Sequence, residues 1–255
     1  MTIGYACAEG VATITLGRPE RLNALTPAML DAIGAAVDRA LAEGARALLL
    51  TGEGRAFCAG ADLIDAGGLL DDLGAVVDAH YNPLVRKLAA SPVPIVVGVN
   101  GPAVGAGCSL AMLGDLVVAA RSAYFQFGFV KIGLVPDSGA TWLATHGAGR
   151  ARAMELLLLG EALPADKAES WGLIHRVVDD AALTGEALAL ARRLASGPTL
   201  ALGLVRRAVN EALGADFDGM LDRERDNQRI AGRTADARAA IAAFATKSTP
   251  RFDGA

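Results

Sequence analysis

Short apolar runs, separated by polar and glycine-rich segments, dominate the first two-thirds of the chain. Residues 11–16 alternate β-branched and small side chains, which is the period of a half-buried strand. The later runs are too short for buried helices and predict further strands at residues 47–51, 94–99, 115–120, 124–127 and 173–178.

Helical periodicity fills the intervals between these runs. Thr26 followed by Pro27 is typical of a helix start, because the hydroxyl caps free N–H groups and proline fits the first turn. That helix should end near Gly44. The other helical segments are residues 69–90 with an interruption at Pro83, a short helix through Trp142, residues 150–159 and 164–171, and everything after residue 183 apart from breaks at 196–198 and near Gly232.

Strands that alternate with helices and then give way to helices alone predict the fold class. We expect an α/β core over residues 1–195 and a helical C-terminal region over residues 196–255. The 255 residues, 53% of them hydrophobic, can bury a sizeable core. A strand–strand–helix rhythm recurs along the core, without a clear repeat in residue identity.

Composition and charge exclude several classes of function. A net charge of −4 gives no electrostatic reason to bind nucleic acid. Cys7, Cys58 and Cys108 are widely spaced, which argues against a zinc site or a disulfide scaffold and is compatible with a reducing cytoplasm. The N-terminus shows no secretory signal, and the longest apolar runs are too short to span a bilayer. We therefore expect a cytoplasmic protein without membrane, nucleic-acid or metal partners.

Residues 100–110 form the most informative stretch. They follow an apolar strand, turn through glycine, proline and alanine, and lead into a segment that can be helical. A turn of this kind leaves backbone N–H groups free at the start of the helix. Such groups can stabilise an oxygen atom that becomes negative during a reaction.

Two functional interpretations of the glycine-rich turns are weak. A dinucleotide-binding G-x-G-x-x-G pattern fails because Leu110 and Phe57 stand where the third glycine would be, and no P-loop pattern exists. Residues 107–111 resemble the nucleophile elbow of a serine hydrolase, with Ser109 as nucleophile. Its partner would have to be His80, His146 or His175. A core position for His175 and a capping role for His146 are the simpler interpretations.

Four motifs in order carry a stronger resemblance. They are RPERLNAL at residues 18–25, GRAFCAGADL at 54–63, NGPAVGAGCSL at 100–110 and IGLVPDSG at 132–139. Together they resemble the crotonase superfamily, also called the enoyl-CoA hydratase/isomerase family, over nearly the whole chain. The resemblance implies a crotonase spiral of strand–strand–helix units, a homotrimer or a dimer of trimers, and an acyl-CoA thioester as substrate with no further cofactor.

The resemblance also implies an oxyanion hole made of the Ala61 and Ala106 N–H groups. Ala106 stands where many members have glycine, and its donor survives if the backbone suits a Cβ atom. Ala59 would contact the adenine end of CoA, and Lys247 the CoA phosphates, although a solvated lysine explains Lys247 equally well. The residues expected to bind substrate are Ala59, Gly60, Asp62, Leu63, Gly105, Ser109, Phe129 and Lys247.

The acid–base residues distinguish branches of this family. Hydratases use two glutamates, and the corresponding positions here are Ser109 and Phe129, so a two-glutamate hydration mechanism is not available. Asp137 after Pro136 instead resembles the isomerases, including ring-opening epoxyphenylacetyl-CoA isomerases. One carboxylate is enough for a 1,3-proton shift, because the base that removes the proton can return it.

Asp137 also has a simpler interpretation as the N-cap of the helix that follows it. For the catalytic interpretation, we expect Leu134, Val135, Phe129 and Trp142 to form a dry pocket that raises its pKa. The alternatives are a hydratase for an unusual acyl-CoA, a CoA-ester-binding protein without catalysis and, as a minor possibility, the serine hydrolase. The acyl group should depend on residues 64–85 and on the C-terminal helices.

Overall fold

The computed structural model describes residues 2–63 and 72–254. The strands are β1 (Ile3–Ala8), β2 (Val11–Leu16), β3 (Ala47–Gly52), β4 (Ile95–Val99), β5 (Ala103–Val104), β6 (Leu116–Ala120), β7 (Tyr124–Gln126), β8 (Leu163–Pro164) and β9 (Arg176–Val178). The α-helices are α1 (Pro27–Ala42), α2 (Leu73–Val76), α3 (Asn82–Ala89), α4 (Ala106–Met112), α5 (Ala140–Ala148), α6 (Arg150–Leu159), α7 (Ala165–Ser170), α8 (Leu183–Ala195), α9 (Thr199–Ala212), α10 (Phe217–Ala231) and α11 (Ala235–Ala245). A π-helical segment, Val77–Tyr81, joins α2 to α3.

Six strands form the main sheet in the order β1-β2-β3-β4-β6-β9. Strands β1 and β2 pair antiparallel, and every later pair in this sheet is parallel. Strands β3 and β4 read as continuous apolar runs because they are central strands, covered on both faces. A smaller sheet, β5-β7-β8, lies beside the glycine-rich turn of residues 100–110.

Strand β1 has no counterpart among the strands predicted from the sequence. Its side chains are half-buried or exposed, so the run lacks the apolar character that marks the other strands. It joins β2 through Glu9 and Gly10, which both have positive φ (53° and 74°). This is the backbone of a two-residue hairpin turn, and Gly10 was its one signal in the sequence.

Helix α1 confirms the capping prediction, because the Thr26 hydroxyl accepts a hydrogen bond from the Met29 N–H (3.3 Å) and Pro27 occupies the first helical position. Helix α5 is longer than the predicted short helix and extends to Ala148. Of the predicted helix over 69–90, residues 69–71 lie outside the described residues.

Helices follow β9, as predicted, but they number four among the described residues rather than the three expected, because the chain also breaks at residues 213–216. Asp216 begins α10 there by accepting a hydrogen bond from the Gly219 N–H (2.7 Å). The roles expected for residues 196–255 in oligomerisation and pocket closure stay predictions. In the part of the chain that the structure describes, no helix is both long enough and apolar enough to cross a membrane.

Candidate active site

Two loops meet beside the small sheet and bring residues 58–61 next to residues 103–106. Cys58 pairs with Ala103 as an isolated parallel bridge. The Val104 N–H donates to the Cys58 carbonyl (2.8 Å), and the Phe57 N–H donates to the Pro102 carbonyl (3.1 Å). The second and third motifs of the sequence are therefore held in one register by backbone hydrogen bonds.

Glycine is required at two points of this contact. A Cβ atom at Gly60, whose φ is +90°, would lie 2.8 Å from the Val104 carbonyl oxygen. A Cβ atom at Gly107 would lie 2.4 Å from the Cys58 carbonyl oxygen. These distances are shorter than van der Waals contact, so the two loops could not approach this closely with any other residue there.

The Ala61 and Ala106 N–H groups have no hydrogen-bond acceptor among the described residues. The Leu25 N–H donates to the Gly60 carbonyl and the Asp62 N–H to the Leu25 carbonyl, so the Ala61 N–H between them points away from Leu25. Ala106 is the first residue of α4, where N–H groups lack partners within the helix. Its helical backbone accommodates a Cβ atom, as its alanine requires. Neither N–H donates to an acceptor among the described residues.

The first motif holds the loop that contains Ala61. The Arg18 guanidinium pairs with the Asp62 carboxylate (2.9 Å), and the Asp62 side chain is only 4% exposed. Arg18 also donates to the Ala24 carbonyl (2.6 Å). Asn23, completely buried, donates to the Ala56 carbonyl (2.8 Å). The sequence analysis identified the motif at residues 18–25. It did not predict that the motif holds residues 53–62 in place through these hydrogen bonds and this ion pair.

A cavity of about 310 Å³ opens beside Ala61. Its wall is mostly aliphatic, and its polar side chains among the described residues are Asp62, Tyr81 and Asp137. The described lining residues are Leu25, Pro27, Ala61, Asp62, Leu63, Leu73, Gly74, Val76, Val77, Tyr81, Leu134, Val135 and Asp137. Asp137 and Ala61, the base and one of the oxyanion donors predicted from the sequence, thus border the same cavity.

Asp137 does not cap the helix that follows it. The α5 helix begins after Gly139, without a side-chain cap, and only the backbone carbonyl of Asp137 accepts from the Ala140 N–H (2.9 Å). Ser138 and Gly139 have positive φ (52° and 81°) and turn the chain between Asp137 and the helix. The capping interpretation is therefore wrong, and the Asp137 carboxylate borders the cavity instead.

Burial raises the pKa of the Asp137 carboxyl, and the hydrogen bond from the Ser138 hydroxyl (2.9 Å) partly offsets this effect. The expected direction of the shift is therefore confirmed. Leu134 and Val135 line the cavity, but Val135 is 78% exposed, so the dry pocket predicted around Asp137 is open on that side. The expectation for Trp142 is wrong, because this residue lies on a separate groove between α5 and α9.

Ser109 and Phe129 are buried and are absent from the cavity wall that the structure describes. The Ser109 hydroxyl donates to the Asp137 backbone carbonyl (3.4 Å), so it contacts the carboxylate-bearing loop rather than a histidine. The Phe129 ring tip packs near Gly105. The substrate contacts predicted for Ser109 and Phe129 stay predictions.

The described histidines do not support a serine hydrolase. His146 contacts the Trp142 carbonyl (2.8 Å), as its helix-end position suggested, and His80 lies 3.5 Å from Asp31. His175 is exposed, so the prediction that it packs in the core is wrong. None of them bonds to Ser109.

Among the remaining predicted site residues, Leu63 and Asp62 line the cavity, whereas Ala59 donates its N–H to the Leu22 carbonyl (2.9 Å). Lys247 is exposed at the end of α11 and is outside the cavity wall. Within residues 2–63 and 72–254, no cluster of three or more His, Cys, Asp or Glu side chains could hold a metal ion.

Tyr81 is the lining residue that the sequence gave no reason to select. It lies in the π-helical segment, its side chain is 7% exposed, and it shares the cavity with Asp137. Helical spacing alone predicts only that residue 81 belongs to a helix, because the cavity is formed by segments distant in sequence.

Comparison with known proteins agrees with this arrangement. The family model "Enoyl-CoA hydratase/isomerase" matches residues 6–255. The chain is 50% identical over 251 residues to 1,2-epoxyphenylacetyl-CoA isomerase of Escherichia coli (strain K12), and the match covers 96% of each chain. The crystal structure of enoyl-CoA hydratase from Bacillus anthracis superposes with a TM-score of 0.94 at 28% identity, covering 100% of both chains. That of an enoyl-CoA hydratase from Polaromonas sp. JS666 gives 0.92 at 31% identity, covering 98% of this chain and 99% of the other.

The spiral core and the paired loops define a protein of the crotonase fold. The chain belongs to the enoyl-CoA hydratase/isomerase family, and it is an enzyme of the acyl-CoA class.

Proposed function

We propose that this enzyme isomerises an enoyl-CoA thioester, with Asp137 as the single proton shuttle and the Ala61 and Ala106 N–H groups as the oxyanion hole. The supporting observation is that the two carboxylates of the described cavity wall have different partners. Asp62 is paired with Arg18, whereas Asp137 has only a neighbouring hydroxyl as partner. One carboxylate is therefore available to move a proton.

The chemistry follows from the thioester. Its carbonyl acidifies the neighbouring carbon, and removal of a proton places negative charge on the carbonyl oxygen. Two backbone donors at that oxygen would stabilise the enolate, and a lost donor typically costs about 2.7–4 kcal/mol. Asp137 in its ionised form takes the proton and returns it to a different carbon of the same substrate. A raised pKa favours this exchange, because the base then matches its carbon acid better.

The same site supports ring-opening isomerisation, since one relative at 50% identity is a 1,2-epoxyphenylacetyl-CoA isomerase. We propose phenylacetate degradation as the pathway class on this ground. Ala59 and Lys247 are proposed to contact the adenine end and the phosphates of CoA, and Lys247 could do so on a neighbouring subunit. The C-terminal helices are proposed to assemble the chain into a trimer or a dimer of trimers.

Asp137→Asn tests the assignment. We expect double-bond migration on a 3-enoyl-CoA to fall by about 10²–10⁴-fold, the usual effect of removing a general base, while CoA-ester binding persists. Asp78→Asn is the matched control, because Asp78 is exposed in the neighbouring helical segment. Wild-type turnover in Asp137→Asn would contradict the proposal.

Hydration is the second candidate, because the two solved structures compared above carry that name. Its weakness is the absence of a carboxylate at Ser109 and Phe129. Rapid addition of water to crotonyl-CoA by the wild-type enzyme, measured in the same assay series, would favour hydration over isomerisation. Tight binding of several acyl-CoAs without turnover would favour a binding protein.

A further inference from the structure

Tyr81 places a phenol without a hydrogen-bond partner in the wall of the cavity. The side chain is 93% buried, since its exposed fraction is 7%. Its hydroxyl forms no hydrogen bond with the described residues. The oxygen is not among the polar atoms that are sealed inside the protein, so it keeps some accessible surface, and Tyr81 lines the cavity.

The local backbone accounts for this position. The Asn82 N–H donates to the Val77 carbonyl, five residues earlier, which widens the turn to a π-helix. Pro83 follows and contributes no N–H to the helix. The wider turn puts Val77 and Tyr81 on one side, and both line the cavity. Single π-helical turns within α-helices are frequent at functional sites.

The surroundings of the Tyr81 hydroxyl keep it protonated, so that it can donate a hydrogen bond. Its hydroxyl lies within electrostatic range of Asp137, Cys58 and Asp62. Burial and the charge of Asp137 raise the pKa of Tyr81, so the phenol stays protonated at neutral pH. Neither carboxylate accepts a hydrogen bond from Tyr81: Asp62 accepts from Arg18, and Asp137 accepts from Ser138. A ligand that covers this donor removes its access to water, so a ligand that supplies an acceptor there binds more tightly than one that does not.

We propose that Tyr81 determines specificity by donating a hydrogen bond to an oxygen atom of the acyl group, so that the cavity prefers an oxygen-bearing acyl group, such as a cyclic ether, over a hydrocarbon of the same shape. This inference rests on one part of the proposed function, namely that the cavity binds the acyl group of the thioester. The aliphatic wall accepts both kinds of ligand, and the phenol distinguishes them, because a site built for a hydrogen bond disfavours the analogue that lacks the partner.

The test uses two saturated thioesters that the enzyme cannot isomerise, cyclohexylacetyl-CoA and tetrahydropyran-2-ylacetyl-CoA. Titration calorimetry gives the dissociation constant of each with wild type, Tyr81→Phe and Tyr5→Phe. Tyr5 is the matched control, because its hydroxyl bonds to Glu43 at the surface, away from the cavity. We expect the preference of wild type for the ring ether, expressed as the ratio of the two constants, to fall roughly tenfold in Tyr81→Phe and to stay unchanged in Tyr5→Phe.

If the ratio of the two dissociation constants is the same in Tyr81→Phe as in wild type, the inference is overturned. This includes the result that Tyr81→Phe binds both thioesters more weakly by the same factor, and the result that it only turns over a 3-enoyl-CoA more slowly. Those results would assign Tyr81 to packing or to the support of Asp137. Because neither thioester reacts, the result does not depend on whether Asp137 is the base. If the wild-type enzyme binds neither thioester, this inference and the proposed function are both overturned. If Asp137→Asn keeps wild-type turnover but the preference for the ring ether still depends on Tyr81, only the proposed function is overturned.

Discussion

Two carboxylates border the same cavity and differ in what surrounds them. Asp62 pairs with Arg18, and its loop is further held by the Leu25 carbonyl. Asp137 is partly buried beside aliphatic side chains, with one hydroxyl as its partner. Different surroundings give carboxylates different roles in one site, since burial raises the pKa of Asp137, whereas Asp62 is held in an ion pair.

The raised pKa of Asp137 predicts a pH-dependent gain in stability on substitution. The folded state holds this proton more tightly than the unfolded chain, so the protonated carboxyl contributes stability at low pH that is lost as pH rises through its folded pKa. Asp137→Asn should therefore increase the free energy of unfolding at pH 7, while activity is lost. The gain should disappear near pH 3.8, the ordinary value for the group.

Urea unfolding at both pH values measures this effect, with Asp78→Asn as the control that should change neither. A destabilised Asp137→Asn protein at pH 7 would show instead that the carboxylate makes a favourable contact in the folded state, and would argue against a desolvated base. The comparison separates stability from catalysis, because strained or desolvated catalytic groups commonly reduce stability.

At the scale of elements, local rules predicted those features that local residues determine. Thr26 and Pro27 start α1, and continuous apolar runs form β3 and β4. Strand β1 was missed because its pairing with β2, rather than its own burial, makes it a strand. The positions of Tyr81 and Trp142 relative to the cavity depend on how segments distant in sequence pack together. The periodicity of one helix does not predict that packing.

Arg206 shows how one element is attached to the core. On α9 it is 8% exposed and pairs with the Asp115 carboxylate before β6 (2.7 Å). It also donates to the carbonyls of Leu88 and Ala89, the last two residues of α3, and of Ser91 just after it. The guanidinium therefore satisfies the C-terminal end of α3 and a nearby carboxylate at once. Arginine suits this task because its fixed planar group carries five N–H donors.

Arg206→Met should destabilise the protein by about 1–3 kcal/mol, because the Leu88 and Ser91 carbonyls lose their buried donor and the partly exposed Asp115 carboxylate keeps only the Ile95 N–H as a partner. Arg207→Met is a matched control, since Arg207 is exposed on the same helix and should change stability by less than about 0.5 kcal/mol. Urea denaturation gives both values. Equal effects of the two substitutions would show that α9 is held by its apolar face alone.

For the whole molecule, apolar side chains remain exposed along the C-terminal helices. Val205 and Val209 are 61% and 60% exposed and border a groove of about 790 Å³ between α9 and the core. Phe217, Ile241 and Phe244 on α10 and α11 are 77%, 70% and 87% exposed. Exposed apolar side chains of this kind are typical of a protein–protein interface, so they support the assembly that we propose.

This proposal predicts that the wild-type enzyme has the mass of a trimer or a hexamer in light scattering after size-exclusion chromatography. Val209→Glu should reduce that mass to the monomer's, because a charge placed in a buried apolar contact lacks a partner. Ala6→Glu on the exposed strand β1 is the control and should keep the wild-type mass.

If Lys247 contacts the CoA of a neighbouring subunit, the Val209→Glu monomer should also bind acyl-CoA more weakly while retaining its circular-dichroism spectrum. A wild-type protein that elutes as a monomer at micromolar concentration would contradict the assembly and would place any Lys247 contact within its own chain.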